Sequence, residues 1–231
     1  PNWRMRRTAM GRQFGGLPAG CNSRYRKCMG LAGVVLAAGA SERMGRPKAL
    51  LDFRGRPFAV RILEALEALD VKSRVVVLGP DAARVRPFLA THECVIVENL
   101  DLAGEAIGSL RAALAALEPI RPSAVVAWPV DLPHVRVATL ERLLETHRRT
   151  GAPAVVPSFA ERRGQPVIWD EALFPELATS EAATRHGAGA VLAAHEQDVV
   201  TVTVDDPAVI EDLNTPEDYE RLVRELNRDI Y

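Results

Sequence analysis

The sequence has few cysteines, no long apolar run and almost no net charge. Cys21, Cys28 and Cys94 are too few for a disulfide framework and do not have the spacing of zinc ligands. The formal net charge of -1 argues against a nucleic-acid partner, which calls for a strongly basic surface. No apolar run reaches the roughly 18 to 20 residues that cross a bilayer. The sequence therefore predicts a protein of a reducing compartment, the cytoplasm, with neither nucleic acid nor membrane as a partner.

The first 30 residues differ from the rest because they carry seven arginines and lysines and no acid. The apolar residues 31–40 then imitate a secretory signal, but cleavage there would remove the strand that the following loop and helix need. Met29 stands just before this run. We therefore predict that residues 1–28 are a basic leader or disordered tail outside the fold. Residues 29–231 are long enough to form a single domain with a sizeable core.

Beyond residue 33, short β-branched runs alternate with amphipathic helical patterns. The apolar runs predict buried strands at residues 74–79, 93–98, 123–128, 153–157, 165–169 and 198–204. Apolar residues recur at helical spacing within residues 58–69, 107–117 and 140–147. This alternation predicts an α/β fold, with a mostly parallel sheet and helices on both faces. Proline and glycine become frequent between residues 150 and 196, which predicts a small subdomain there.

The first strand ends at Leu36 in small residues and is followed by cations. Residues 37–41 have so little bulk that backbone N–H groups can face a nucleotide base or phosphates. Arg43, Arg46 and Lys48 then indicate an anionic ligand. The stretch matches neither G-x-G-x-x-G nor the Walker pattern. A plain strand-to-helix turn with solvated cations is the alternative, although the whole string is improbable as turn chemistry alone.

Acidic and amide side chains follow the apolar runs at two places. Asp131, beyond the strand that ends near Trp128, is placed equally well to hold Mg²⁺ or to cap a following helix. Farther along, Thr215 to Asp218 read as a helix start with a capping box. That explanation leaves Asp212 and Asn214, just upstream, without a structural role.

The segment "LAAGASERMGRPKALL", residues 36–51, closely resembles the signature of the molybdenum cofactor nucleotidyltransferases and their wider superfamily. The resemblance continues through residues 130–135, 162–169 and 210–222, so it covers the chain from about residue 30 to the end. It implies a Rossmann-like nucleotidyltransferase fold with a mixed central sheet, in which residues 150–196 form the acceptor-side subdomain.

Carried over residue by residue, the resemblance implies a role for each part of the signature. The nucleotide would contact Leu36, Ala37, Ala38, Gly39, Arg43, Lys48, Gly104 and Ser109. The catalytic residues would be Arg43, Lys48 and Asp131. The metal, Mg²⁺, would be held by Asp131 together with Asp212, or with Asn214 as the next choice. The acceptor side would include Gly164, Gln165 and Pro166.

The activity implied is magnesium-dependent transfer of a nucleotidyl group from a nucleoside triphosphate to a phosphorylated small molecule. Ala38 favours CTP, and molybdopterin is the expected acceptor, with a molybdoenzyme or its chaperone as a further partner. Gln165 and Gly189 depart from the histidine and arginine of cytidylyl-transferring relatives, which leaves the acceptor open. The alternatives are guanylyl transfer, transfer to a sugar or alditol phosphate, a non-catalytic carrier of nucleotide or cofactor, and a dinucleotide-binding dehydrogenase.

Overall fold

The computed structural model describes residues 3–6, 30–100 and 105–228. Its strands are β1 (Trp3–Arg6), β2 (Leu31–Ala37), β3 (Asp52–Phe53), β4 (Arg56–Pro57), β5 (Ser73–Leu78), β6 (Val95–Asn99), β7 (Ala124–Pro129), β8 (Ala154–Phe159), β9 (Arg162–Arg163), β10 (Val167–Asp170) and β11 (Val200–Thr203). Its α-helices are α1 (Phe58–Ala68), α2 (Ala82–Leu89), α3 (Glu105–Leu117), α4 (Val137–Thr150), α5 (Phe174–Thr179), α6 (Glu181–His186), α7 (Gly189–Ala194) and α8 (Pro216–Arg228). Short 3₁₀ turns lie at Glu42–Met44, Lys48–Leu50, Glu171–Leu173 and Pro207–Ile210.

One large mixed sheet forms the centre of the molecule. Its strand order is β1-β6-β5-β2-β7-β10-β8-β11, with β9 paired to β8 as a hairpin. Strands β6, β5, β2 and β7 run parallel, and β8 and β11 are parallel to each other. Strand β10 lies antiparallel between β7 and β8. The predicted α/β class with a mostly parallel mixed sheet is confirmed.

Helices cover both faces of this sheet because successive strand residues point to opposite sides. On β2, Val35 packs with α1, α2, α4 and α8 in one apolar cluster. Its neighbour Val34 packs with α3, α5, α6 and α7 in the other. The two largest fully buried side chains divide the same way, with Trp128 in the first cluster and Trp169 in the second. Within the described ranges, no helix is long and apolar enough to span a bilayer.

Two structural features concern the predicted division of the chain into a leader, a main domain and a subdomain, which stays a prediction. Trp3–Arg6, within the predicted leader, forms an antiparallel edge strand on β6. The alternation of apolar and basic residues there has the period of a strand, and β6 would otherwise be the edge of the parallel block. The predicted subdomain at residues 150–196 contributes β8, β9 and β10 to the central sheet, and its helices cover one face.

The topology places a binding crevice at the carboxyl end of β2. From β2 the chain passes to β5 and β6 on one side, and later returns to β7 on the other side. In open α/β sheets, ligands bind where the strand order reverses in this way, beyond the carboxyl ends of the strands. The loops after β2, β5 and β7 therefore surround the place where a site is expected.

Candidate active site

A cavity of about 620 Å³ opens at this reversal point. Its walls come from the loop after β2, the ends of β5, β6 and β7, the first half of α3 and the segment before α8. This volume lies within the usual range for small-molecule sites. The residues predicted for the site that line it are Leu36, Ala37, Ala38, Gly39, Arg43, Lys48, Ser109, Asp131 and Asn214. Asp212 and the acceptor-side residues lie outside its walls, and Gly104 lies outside the described residues.

The loop between β2 and Lys48 is folded back on itself by left-handed residues. Ser41 has φ 52° and Gly45 has φ 69°, the conformations that begin and end the turn Glu42–Met44. The Ser41 hydroxyl oxygen accepts a hydrogen bond of 3.1 Å from the backbone N–H of Lys48. This closure brings a lysine that lies eleven residues beyond Ala37 back to the mouth of the strand.

Lys48 contacts two residues that lie far from it in the sequence. Its ammonium Nζ donates to Asp131 Oδ2 at 2.9 Å and to Asn214 Oδ1 at 2.6 Å. The side chains of Lys48 and Asp131 are largely buried, at 14% and 21% exposure. Partial burial strengthens such an ion pair relative to an exposed one. Two hard oxygen ligands and one cation therefore converge at the floor of the cavity.

The backbone fixes Asp131 and Asn214 relative to the first strand. Val130 N–H donates to Leu36 C=O at 3.0 Å, so the chain leaving β7 stays against β2. Leu213 N–H donates to Asp131 C=O at 3.2 Å, which ties the segment before α8 to the same place. The convergence on Lys48 thus rests on main-chain contacts as well as on side chains.

Asp212 and Asn214, the two candidates for the second oxygen ligand, are separated by the structure. Asn214 lies in the cavity wall and contacts Lys48, whereas Asp212 is exposed and outside that wall. Although Asp212 as a whole is exposed, neighbouring atoms partly desolvate its carboxyl; this desolvation, followed by repulsion from Asp131, raises the pKa of Asp212, while Lys48 and Arg162 act in the opposite direction. Asp212 therefore contributes to the local field, and Asn214 supplies the direct contact.

The oxygen donors fit a hard divalent cation. Carboxylate and amide oxygens are the protein ligands of Mg²⁺, which keeps most of its remaining positions for water and phosphate oxygens. Nowhere in residues 3–6, 30–100 or 105–228 do three or more His, Cys, Asp or Glu side chains form a group that could hold a metal. A divalent ion at Asp131 and Asn214 would thus take the rest of its ligands from water and a bound phosphate.

Sequence reasoning missed two cavity residues at the ends of neighbouring strands. A Cβ on Gly79, just after β5, would lie 2.1 Å from the Ala38 carbonyl oxygen, so only glycine allows this close approach of the two loops. Asn99, at the end of β6, is buried, and its Nδ2 donates to Ser109 Oγ at 3.2 Å. The available signal was a glycine and a polar residue at the carboxyl ends of apolar runs, where ligands bind.

The predicted acceptor-side residues pack on a neighbouring turn. Gly164 N–H donates to Pro157 C=O, and Gln165 N–H donates to Val209 C=O, each at 2.8 Å. A Cβ on Gly164 would lie 2.1 Å from the Val209 oxygen, so the two backbones are in close contact. The segment containing Gly164, Gln165 and Pro166 is therefore braced against Pro207–Ile210, which leads towards Asp212 and Asn214.

The model of one protein family matches most of the chain. The family model of the MobA-like NTP transferase domain matches residues 33–209. The crystal structure of Rv0371c from Mycobacterium tuberculosis H37Rv is 31% identical, with a TM-score of 0.71 over 84% of this chain and 98% of that one. A complex of Rv0371c with manganese has a TM-score of 0.68 at 29% identity, over the same shares of the two chains, 84% and 98%.

Two curated relatives differ in how much of their own length the chain matches. Nicotine blue oxidoreductase from Paenarthrobacter nicotinovorans is 33% identical over 199 residues, which is 84% of this chain and 96% of the relative. Bifunctional protein GlmU from Carboxydothermus hydrogenoformans is 32% identical over 128 residues, or 54% of this chain. That match spans only 28% of the length of GlmU.

Proposed function

Because the chain belongs to the MobA-like NTP transferase family, we propose that it transfers a nucleotidyl group from a nucleoside triphosphate to a phosphorylated small molecule. The observation that carries the proposal is the convergence of Lys48, Asp131 and Asn214 at the floor of a nucleotide-sized cavity. A phosphate oxygen of the acceptor forms a bond to the α-phosphorus, while the bond from that phosphorus to pyrophosphate breaks. The products are a dinucleotide-type diester of pyrophosphate and free pyrophosphate.

The proposed orientation of the nucleotide follows from the chemistry of the cavity walls. The small residues 37–39 let the backbone approach the nucleotide, and Asn99 with Ser109 gives a polar end suited to a base or ribose. The triphosphate then extends towards Arg43 and Lys48. These cations face charge that grows on the α-phosphate and on departing pyrophosphate, so they lower the barrier more than they strengthen ground-state binding.

Asp131 and Asn214 are the proposed metal ligands, with Mg²⁺ as the proposed ion. The oxygen donor set supports this assignment, as does the manganese complex of the related Rv0371c. A divalent ion bound there supplies neutralising charge to the phosphate oxygens. Lys48 has to exchange its contact with Asp131 for contact with a phosphate. No protein general base is required, because a phosphomonoester is mostly dianionic at neutral pH.

CTP is the proposed donor, and molybdopterin is the proposed acceptor, with the reaction taking place in the cytoplasm. Ala38 and the signature around it support the donor, since a Cβ there changes how closely a purine can sit, although one methyl group is worth only about 1 to 3 kcal/mol of discrimination. Gln165 and Gly189, where cytidylyl-transferring relatives carry other residues, make the acceptor the first point to test. GTP as donor and a sugar phosphate as acceptor are the competing assignments.

A second candidate function is oxidoreduction, favoured by the similarity to nicotine blue oxidoreductase over 96% of that relative's length. In that case the cavity would bind the nucleotide of a hydride donor. The triad of Lys48, Asp131 and Asn214 favours nucleotidyl transfer instead, because hydride transfer has no need of an oxygen pair converging on a cation.

The test is release of pyrophosphate from each of CTP, GTP, ATP and UTP with molybdopterin or a sugar phosphate as acceptor. We expect turnover with one donor, and a loss of at least about 100-fold in kcat for Asp131→Asn, the size typical of a lost electrostatic contact. Asp198→Asn, an exposed aspartate away from the cavity, is the matched control and keeps full activity. Absence of pyrophosphate with every pair, together with NAD(P)H oxidation by a quinone-like dye, would assign the second function.

A further inference from the structure

The segment from Asn214 to Tyr219 contacts the lysine loop, residues 45–52, at three points. Asn214 Oδ1 accepts from the ammonium of Lys48. The guanidinium carbon of Arg46 lies 5.1 Å from the ring centre of Tyr219, within the range of a cation–π contact. The Tyr219 hydroxyl donates to the Asp52 carbonyl oxygen at 3.0 Å. One tyrosine therefore holds the chain on both sides of Lys48.

The ring of Tyr219 is itself anchored in the core. Its centre lies 6.0 Å from that of Phe58, with the planes inclined at 56°, a favourable arrangement for two aromatic rings. Phe58 is fully buried and begins α1, and its N–H donates to the Leu51 carbonyl at 2.9 Å. Tyr219, which contacts Arg46 and Asp52, is therefore itself held by the apolar cluster that contains Phe58.

A capping box links Asn214 to Tyr219 through hydrogen bonds of the first turn of α8. Asp218 Oδ2 accepts from the N–H groups of Asn214 and Thr215 at 3.1 and 3.0 Å. Thr215 Oγ1 in turn accepts from Asp218 N–H at 3.2 Å, and Tyr219 N–H donates to Thr215 C=O at 3.2 Å. The position of Tyr219 on the first turn of α8 is therefore coupled to the position of the Asn214 side chain.

We propose that Tyr219 is a positioning residue, which holds the lysine loop so that the ammonium of Lys48 meets both Asn214 and the phosphates. Tyr219 and Arg46 do not line the cavity, so they act through the loop rather than on the nucleotide. The role assigned to Lys48 rests on the proposed function. The fixing of the loop by Tyr219 does not.

Three substitutions separate positioning from packing. Tyr219→Phe keeps the ring against Arg46 and Phe58 and loses only the hydroxyl. Tyr219→Leu keeps an apolar side chain against Phe58 and loses both contacts to the loop. Arg46→Ala removes the cation from the other side. Arg224→Ala is the matched control, since Arg224 lies on the same helix, is exposed and pairs only with Glu220 among the described contacts.

We expect Tyr219→Leu to lower kcat about tenfold with little change in KM, the loss expected for one hydrogen bond and one cation–π contact. Tyr219→Phe should restore most of this activity. Arg46→Ala, which loses only the cation–π contact, should lower kcat less than Tyr219→Leu does, and the double variant should be no worse than Tyr219→Leu alone. Equal kcat for Tyr219→Leu and the Arg224→Ala control would overturn the proposal.

Hydrogen exchange supplies a measurement that does not depend on catalysis. In Tyr219→Leu, the amides of Lys48 and Leu51 should exchange at least about tenfold faster than in the parent chain, while the amides of β2 and β5 keep their rates. Exchange unchanged at Lys48 and Leu51 contradicts the proposal even if the chain proves to be an active transferase. Faster exchange confined to these amides supports it even if no transfer is found.

Discussion

At the scale of single residues, Lys48 has a further consequence for metal binding. Its ammonium lies where Asp131 Oδ2 and Asn214 Oδ1 converge, so a divalent ion at these oxygens has to displace a cation. We expect Lys48→Met to bind Mn²⁺ at least about tenfold more tightly than the parent chain when no nucleotide is present, since a nearby like charge is removed. Titration of free Mn²⁺ by its EPR signal measures this change.

Two controls accompany the manganese titration. Lys72→Met removes an exposed lysine far from the cavity and should leave Mn²⁺ affinity unchanged. Asp131→Asn should weaken Mn²⁺ binding in both the parent and the Lys48→Met background. Equal affinity of the parent and Lys48→Met would show that the two oxygens do not form the metal site.

We expect His134 to make the free energy of unfolding depend on pH. Both of its ring nitrogens are buried and make no hydrogen bond within the described part of the chain. Burial lowers the pKa of His134 from 6.5 to about 4, against smaller opposing effects of Asp206 and Asp131. The neutral ring is therefore favoured in the folded state. Its contribution to stability is complete above pH 6.5 and decreases as the pH falls towards 4, because the unfolded chain takes up a proton first.

The expected size of this effect is about 2 kcal/mol lost from the free energy of unfolding between pH 8 and pH 5. Urea unfolding at the two pH values measures the loss. His134→Leu should remove that part of the pH dependence, and its stability at pH 8 should not decrease by more than a small packing term. His186→Gln, at an exposed histidine, should leave the pH dependence unchanged. An identical pH dependence in His134→Leu would show that His134 does not titrate as described.

At the scale of secondary-structure elements, α4 is capped by a residue far along the chain. Asp206 is 2% exposed, and its Oδ2 accepts from Arg136 N–H at 3.0 Å and from Thr139 Oγ1 at 2.6 Å. A carboxylate at this position satisfies amide groups that the helix leaves unpaired and interacts favourably with its dipole. Asp206 thereby fixes the turn Pro207–Ile210, against which Gln165 is braced.

Asp206→Ala is expected to lower the free energy of unfolding by about 2 to 3 kcal/mol, because buried donors lose a charged acceptor. Asp206→Asn keeps an oxygen for both donors and should cost distinctly less. Urea denaturation at pH 7.5 compares the two variants with Asp205→Asn, whose side chain is exposed. Equal losses for the alanine and asparagine variants would show that the hydrogen bonds do not carry the stabilisation.

The elements themselves were predictable to a large extent. The apolar runs predicted β5 through β8, β10 and β11 within a few residues of their ends, and helical spacing predicted α1, α3 and α4. The periodicity of a strand carries no information on its neighbours. The antiparallel insertion of β10 between β7 and β8, and the cap that Asp206 places on α4, arise only when the chain closes on itself.

At the scale of the whole molecule, a site residue is predictable from the sequence when the residues that it acts with lie close to it in the chain. The signature from Leu36 to Lys48 is contiguous, so its residues were predicted together, and residues 36–43, 47 and 48 line the cavity. The choice between Asp212 and Asn214 depends on a contact with Lys48 across more than 160 residues. The pairing of Gly79 with the Ala38 carbonyl likewise depends on two strands being adjacent.

The whole chain also provides a test of the proposal that residues 29–231 are a single folding unit. Among the residues that the structure describes, strand β1 pairs with β6 at the edge of the sheet, and the side chains assigned to the two apolar clusters come from residues 31–226. If nucleotide with Mg²⁺ raises the melting temperature of the full chain, a chain that begins at Met29 should therefore show the same rise. It should lose no more than about 2 kcal/mol of stability, the scale of a few edge hydrogen bonds.

Met5→Pro in the full chain is the matched comparison for this truncation. Met5 lies opposite Val97 in the pairing of β1 with β6, and proline cannot donate to a strand ladder. If β1 stabilises the fold through this pairing alone, Met5→Pro and the chain from Met29 lose the same free energy of unfolding in urea. A truncated chain that aggregates, or that loses its response to nucleotide while Met5→Pro retains it, would place the leader inside the folding unit. Equal losses with intact nucleotide binding would place the cavity and its supporting core entirely downstream of Met29.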